Sequence, residues 1–152
     1  MQWFSYGLRD DLPFNNALEQ ALATRHFDGG RFWQIPSGFV DDGEMITEAI
    51  ARELKLYGLS ARAIWAGDHA YTIYNRRFAE MQIIGVYAAE VADSPVKLDQ
   101  SEHAEYGWLP FEDCLERVHY GGLKDGLRSV HEYVTGPDSP AKELCLYRGH
   151  QK

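Results

Sequence analysis

The sequence predicts a mixed α/β domain, and three observations predict it. Met45 to Tyr57 carries apolar residues at helical spacing, Ile46, Ala49, Ile50, Leu54 and Tyr57. Arg62 to Tyr74 and Met81 to Val91 are rich in aromatic and β-branched residues of strand character. Two further helical stretches, Phe111 to His119 and Leu123 to Val134, close the body. Strands with one long helix in the middle and helices near the end predict helices sandwiching a mixed sheet.

Taken in order, Trp3 to Leu8 alternates as a strand. Ala17 to Arg25 favours helix by its Ala, Leu, Glu and Gln content, and only the motif described below argues for strand there. Met45 to Tyr57 has Glu44 and Glu48 near its start, where negative charge suits the helix dipole, and Gly58 directly after it as a stop. Ile83-Ile84-Gly85-Val86-Tyr87 reads as a buried strand, and Tyr106 to Leu109 as a short one closed by Pro110. Gly136-Pro137-Asp138-Ser139-Pro140 is a turn-forming break. It divides a single domain, residues 1–135, from a linker and C-terminal tail, residues 136–152, whose Leu144-Cys145-Leu146-Tyr147 either packs back as an edge strand or frays.

Length and charge narrow the function. A chain of 152 residues suits one domain, and a hydrophobic share of 45% with a charged share of 25% excludes a disordered chain or a coiled-coil rod. No apolar run nears the roughly 18 residues that span a bilayer, and the N-terminus lacks the basic start of a signal peptide. Net charge is −8, without the basic patch that a nucleic-acid polymer requires. A small anionic ligand fits, because a divalent ion reverses the field in one cleft. Cys114 and Cys145 make no disulfide framework, so the expected setting is reducing and cytoplasmic, with no membrane partner.

The informative segment is Phe32-Trp33-Gln34-Ile35-Pro36-Ser37-Gly38-Phe39-Val40-Asp41-Asp42-Gly43-Glu44, followed by a helix with Arg52-Glu53-Leu54. Glycines let backbone approach a ligand closely, and carboxylates at helical spacing hold a hard cation. Alone, this also describes an ordinary loop before a capped helix. The spacing is more specific: Gly38, five residues, Glu44, seven residues, Arg52-Glu53-Leu54, then Gly58-Leu59. A second block, Ser101-Glu102-His103-Ala104-Glu105-Tyr106-Gly107-Trp108-Leu109, follows.

These two blocks resemble the box and the downstream segment of the Nudix hydrolases, over roughly Ala21 to Val134. Within the family, they resemble the pyrophosphatases of dATP or dihydroneopterin triphosphate and the diadenosine polyphosphate hydrolases. The resemblance implies the Nudix α/β/α sandwich and hydrolysis of a nucleoside diphosphate linked to another moiety. It implies Mg²⁺ or Mn²⁺ as cofactor, a small nucleotide as partner, and, in a family whose domains are often dimers, a homodimer. It implies catalytic roles for Glu53, Arg52 and Glu102, metal contacts from Glu53 and the Gly38 carbonyl, and loop ordering by Glu44. Arg25 and Trp33 become substrate-binding candidates.

The family places three glutamates on one helical face. Here Glu53 remains, but Leu56 and Tyr57 stand where the other two belong, and Gly58 arrives one residue early. The expectation is a hydrolase with a weakened metal site. The alternatives are a nucleotide-binding or regulatory module without useful catalysis, and a sugar-nucleotide hydrolase like the GDP-mannose group, which also departs from the glutamate pattern.

Several residues keep two readings. Glu53 is a ligand or a half-buried acid paired with a base. Arg52 orients Glu53 or makes an exposed pair with Glu48 four residues back, worth about 0.3–0.5 kcal/mol. Glu102 is a base or a solvated loop acid, and Glu105 reads as solvated. Trp33 stacks on a base or packs in the core, and Trp108 reads as core. Leu56 and Tyr57 read as core packing that replaces the site. The histidines show no paired ligand spacing and read as structural or exposed.

Overall fold

The chain forms eight strands and three α-helices among the residues described. In order these are β1 (Gln2–Leu8), β2 (Gln20–Phe27), β3 (Gly30–Gln34), β4 (Ser37–Phe39), α1 (Ile46–Leu56), β5 (Ala61–Asn75), β6 (Glu80–Val91), β7 (His103–Leu109), α2 (Phe111–Arg117), α3 (Gly121–Val130) and β8 (Cys145–Arg148). The structure, a computed structural model, describes the backbone of residues 2–8, 20–27, 30–75, 79–92, 94–98, 103–136 and 141–149. Side chains are described for the same residues except 2–8, 20–27, 30–32, 75 and 103–105.

Two sheets organise these elements. The larger runs β4-β1-β6-β5-β8, and the smaller runs β3-β2-β7. β1 is parallel to β6 and antiparallel to β4, so the larger sheet is mixed. β5 and β6 form a long antiparallel hairpin, paired from Ala61↔Val91 to Asn75↔Glu80. The segment Ala17 to Arg25, locally helix-favouring, contributes β2, which pairs with β3 on one side and β7 on the other. Sheet pairing overrides the intrinsic preference. Leu144–Tyr147 falls largely within β8, which pairs with β5 at Ala63↔Arg148 and Ile64↔Tyr147.

Strand alternation sends successive side chains to opposite faces, and each face meets a helix layer. Ala63, Trp65, Ile84, Val86 and Ala88 point into one buried cluster with Leu123, Leu127 and Val130 of α3. Ile64, Ala89 and Val91 point into a second cluster with Ala49, Ile50 and Leu54 of α1. The result is a helix–sheet–helix sandwich, as the sequence pattern predicts. Among the described residues, no helix is long and apolar enough to cross a membrane.

The helices end where local chemistry stops them. α1 closes with Gly58 at φ 75°, while Gly58 N–H donates to the Lys55 carbonyl and Leu59 N–H to the Leu54 carbonyl. That is a Schellman closure, which needs the left-handed conformation that glycine adopts without strain. Leu54 and Leu59 pack together in the same cluster beside it. α2 stops at Arg117, short of the predicted His119, because Val118 turns extended and its backbone bridges to Trp33. α3 begins at Gly121 and gives way at His131–Thr135 to a π-helical turn. There the Thr135 hydroxyl lies 3.4 Å from the Val130 carbonyl, and His131 stacks on Phe111 with ring centroids 4.0 Å apart.

Candidate functional site

The loop between β4 and α1 is tied to the helix by one arginine. Arg52 Nε and Nη2 each donate to Glu44, at 2.9 Å to Oε1 and 2.9 Å to Oε2. This is the bidentate geometry in which a guanidinium fork matches a carboxylate. Nη2 also donates to the Phe39 carbonyl at 2.8 Å, and Nη1 donates to Glu53 Oε1 at 2.7 Å. The Asp41 carboxylate stands 3.9 Å from Nη2. One side chain thereby spans the end of β4, the loop and α1.

Glu44 is gripped from two directions. Besides Arg52, its Oε2 accepts the Asp41 N–H at 3.0 Å, while the Glu44 N–H donates to the Asp41 carbonyl at 3.0 Å. The hydrogen bonds from Arg52 first, and from the Asp41 backbone second, pull the Glu44 pKa from 4.5 down to about 2. The same contact with Glu44 raises the pKa of Arg52 above its ordinary value. Glu48 plays a different part from the exposed pair considered for it. Its carboxylate accepts the Met45 N–H at 2.9 Å and satisfies the start of α1.

Glu53 lies directly over Gly38. A methyl group built on Gly38 would stand 2.5 Å from the Glu53 carboxyl carbon and 2.6 Å from Oε1, so only glycine leaves room for this carboxylate. The Glu53 side chain is only 14% exposed. The structure thus brings Gly38, Glu44, Arg52 and Glu53 into one connected cluster.

The other candidates lie apart or beyond description. Trp33, next to last in β3, is half-buried, packs against the α3-side core, and carries the Arg117 guanidinium 5.2 Å from its ring centroid. That is a cation–π contact at the core margin. Arg25 lies in β2 opposite Phe32, one pair beyond Thr24↔Trp33, and its side chain is outside the described residues. Glu102 is also outside them, as is the side chain of Glu105 in β7. Trp108 packs against the α1-side cluster.

Leu56 corrects an expectation. Read as core packing, it is 67% exposed. The buried stripe of α1 is Ala49, Ile50 and Leu54, and Leu56, seven residues after Ala49 and about 20° from it on the helical wheel, sits at the margin of that stripe, exposed in the last turn. Tyr57 is half-buried against that cluster and is the C-cap. The early Gly58 therefore ends the helix so that position 57 no longer belongs to its regular face. The contacts of Arg52 with the Phe39 carbonyl and Asp41 were missed from sequence. A backbone acceptor leaves no residue-type signal, and Asp41 is marked only by its place three residues before Glu44.

A family model described as NUDIX domain matches residues 11–129. The chain belongs to the Nudix family. Its fold is similar to that of a protein from Listeria monocytogenes assigned to the Nudix hydrolases, with a TM-score of 0.75 and 19% identity over 93% of this chain and 98% of that one. It is similar to the Ap4A hydrolase of C. elegans, with a TM-score of 0.63 and 21% identity over 86% and 94% of the two chains. It is similar to the dihydroneopterin triphosphate pyrophosphohydrolase of E. coli, with a TM-score of 0.63 and 14% identity over 88% and 93%. No curated protein sequence matches the chain.

Nudix hydrolases generally act on nucleoside diphosphate-linked compounds with the help of a divalent metal such as Mg²⁺ or Mn²⁺. The residues of this Nudix chain fit such an ion only in part. Among the described residues, no three His, Cys, Asp or Glu side chains come together as a metal cage. What remains is one carboxylate, Glu53, packed against the backbone at Gly38. Mg²⁺ is commonly held by one or two carboxylates, with substrate phosphates and water completing its shell. That donor set suits an ion brought in with a diphosphate, not one held by the protein alone.

Proposed function

We propose that this Nudix chain hydrolyses a nucleoside triphosphate or a related diphosphate-linked nucleotide, with a metal site weakened by the loss of two acids. The observation that carries the reading is Glu53, seated over Gly38 and hydrogen-bonded at 2.7 Å by an Arg52 that Glu44 and the Phe39 carbonyl already hold. Such a carboxylate is pre-oriented, which is what a site needs to act on a reacting group without reorganising. The likeness in fold to the C. elegans Ap4A hydrolase and the E. coli dihydroneopterin triphosphate pyrophosphohydrolase supports the substrate class.

In this reading each residue has a task. Arg52 fixes the rotamer of Glu53. Glu53 and the Gly38 carbonyl offer the oxygens toward the diphosphate. When bound, a divalent ion neutralises the diphosphate and acidifies a water. Glu53 or Glu102 orients the attacking water, and Arg25 contacts the substrate, while Trp33 takes the core-packing alternative of its two readings. With neither Cys114 nor Cys145 joined in a disulfide, a reducing cytoplasm is the setting that fits.

A second reading rests on a specific observation. The helix positions that would complete a metal face carry the exposed Leu56 and the C-cap Tyr57. A chain that keeps the cleft but not the acids binds nucleotide without turnover.

One experiment separates the two. Phosphate and pyrophosphate release is measured over nucleoside triphosphates, dihydroneopterin triphosphate and dinucleoside polyphosphates, with Mg²⁺ or Mn²⁺ and an EDTA control. Hydrolysis predicts metal-dependent turnover that Glu53→Gln abolishes while the thermal midpoint stays nearly unchanged. Silence across the panel, with nucleotides still raising the thermal midpoint, favours the binding module. A large stability loss in Glu53→Gln with activity intact removes Glu53 from the site.

A further inference from the structure

The flank of α1 turned away from Glu53 lines a second pocket. It has a volume of about 500 Å³ and lies between α1, the start of β5 and β8. Thr47, Ala51 and Lys55 line it and recur every four residues, so they share one helix face. Glu53 is two residues from both Ala51 and Lys55, about 200° around the helix at 3.6 residues per turn. The pocket is therefore separate from the Gly38–Glu53 site.

Its walls are mostly aliphatic. Leu59 and Ile64 are buried beneath it, Ala51 and Ala61 add to the apolar surface, and the Tyr147 side chain contributes from β8. The volume falls within the roughly 300–1,000 Å³ of small-molecule sites. Two charged groups border it, and they differ. The Glu48 carboxylate accepts the Met45 N–H at 2.9 Å at the helix start, two turns and about 10 Å along the axis from Lys55. The Lys55 ammonium makes no ion pair or hydrogen bond among the described residues.

An aliphatic pocket with one uncommitted cation at its rim is complementary to an amphipathic monoanion. We propose that it binds a medium-chain aliphatic carboxylate, the acid at Lys55 and the hydrocarbon over Leu59 and Ile64 against Tyr147. The proposal does not depend on hydrolytic activity.

The test is an NMR titration of the full chain with sodium octanoate, with 1-octanol and octylammonium as matched neutral and cationic probes. Saturable shifts of backbone amides across residues 47–61 and at Tyr147 are expected, with octanoate the tightest of the three. Lys55→Gln, at an exposed position, weakens octanoate about tenfold, the loss of one charged contact, and leaves 1-octanol unchanged. Ala51→Trp, also at an exposed helix position, fills the pocket and removes the shifts. The proposal is overturned if octanoate leaves these amides unmoved, or if octylammonium binds as tightly or tighter. It is equally overturned if Lys55→Gln binds octanoate as the wild type does, or if Ala51→Trp keeps the shifts. Lys55→Gln decides alone should the larger substitution perturb the fold.

Discussion

The guanidinium of Arg52 decides the local order of this chain. Four of its contacts, two to Glu44, one to Glu53 and one to the Phe39 carbonyl, converge from three elements. The electrostatic consequence falls on Glu44, whose pKa of about 2 lies below the ordinary 4.5. A depressed carboxyl pKa stabilises the folded state at pH values above the unfolded pKa. Glu44 therefore contributes fully above about pH 4.5, and that contribution disappears as the pH falls toward 2. Carbon-detected NMR of the Glu44 carboxyl should give a midpoint near 2, with the Asp41 amide losing its hydrogen bond over the same range. A midpoint near 4.5 would mean that the Arg52 fork is absent in solution. This cluster was legible in the sequence because the spacing Gly38–Glu44–Arg52–Glu53 is set by one loop and two helical turns. The Phe39 carbonyl was not legible, because backbone acceptors carry no residue identity.

At the scale of the element, α1 explains both what the sequence revealed and what it concealed. Its buried stripe follows the 3.6-residue period, and so its limits, Ile46–Leu56, nearly match the predicted Met45 to Tyr57. Leu56 was misread because both residue type and the helical wheel, which sets it about 20° from Ala49, suggest core, while neither reports that packing stops at the last turn. Strand β2 was hard to read for the opposite reason, since a helix-favouring composition is overruled by pairing with β3 and β7 that lies far away in sequence. The π-helical turn after α3 depends on Thr135 and Phe111, which no periodicity reports. Two expectations belong to α1 itself. Gly58→Ala forces a side chain into φ 75° and should cost about 1 kcal/mol, read as a lower thermal midpoint. Leu56→Glu adds a carboxylate three residues after Glu53 on an exposed position, so stability should change by no more than about 0.5 kcal/mol. Calorimetric titration should then show tighter Mg²⁺ binding than in the wild type. Unchanged affinity would mean that α1 no longer presents a metal face there.

For the whole molecule, the sandwich depends on both faces of one sheet being covered and on its edges being managed. One core lies under α3 and the other under α1, with β5 and β6 feeding alternate residues to each. β5 is the strand at which this arrangement is most exposed to failure, because β8 alone covers its outer side. The sequence break at Gly136 leaves open whether the tail packs back as an edge strand or frays, and the pairing Ala63↔Arg148 and Ile64↔Tyr147 makes it part of the sheet. Cys145 also packs against the α3-side core, and the Gly149 N–H donates to the Arg62 carbonyl at 2.7 Å. Removing residues 141–152 would strip these contacts and open a strand edge whose unpaired N–H and C=O groups recruit other strands. The truncated chain should melt at a lower temperature and aggregate on heating, seen as light scattering at temperatures where the full chain stays clear. If it instead keeps the same midpoint and stays clear on heating, the domain ends near residue 135 and β8 contributes little to its stability. In either case the truncation removes Tyr147 from the α1 flank while leaving Arg52, Glu44 and Glu53 in place, so it should weaken octanoate binding more than nucleotide turnover.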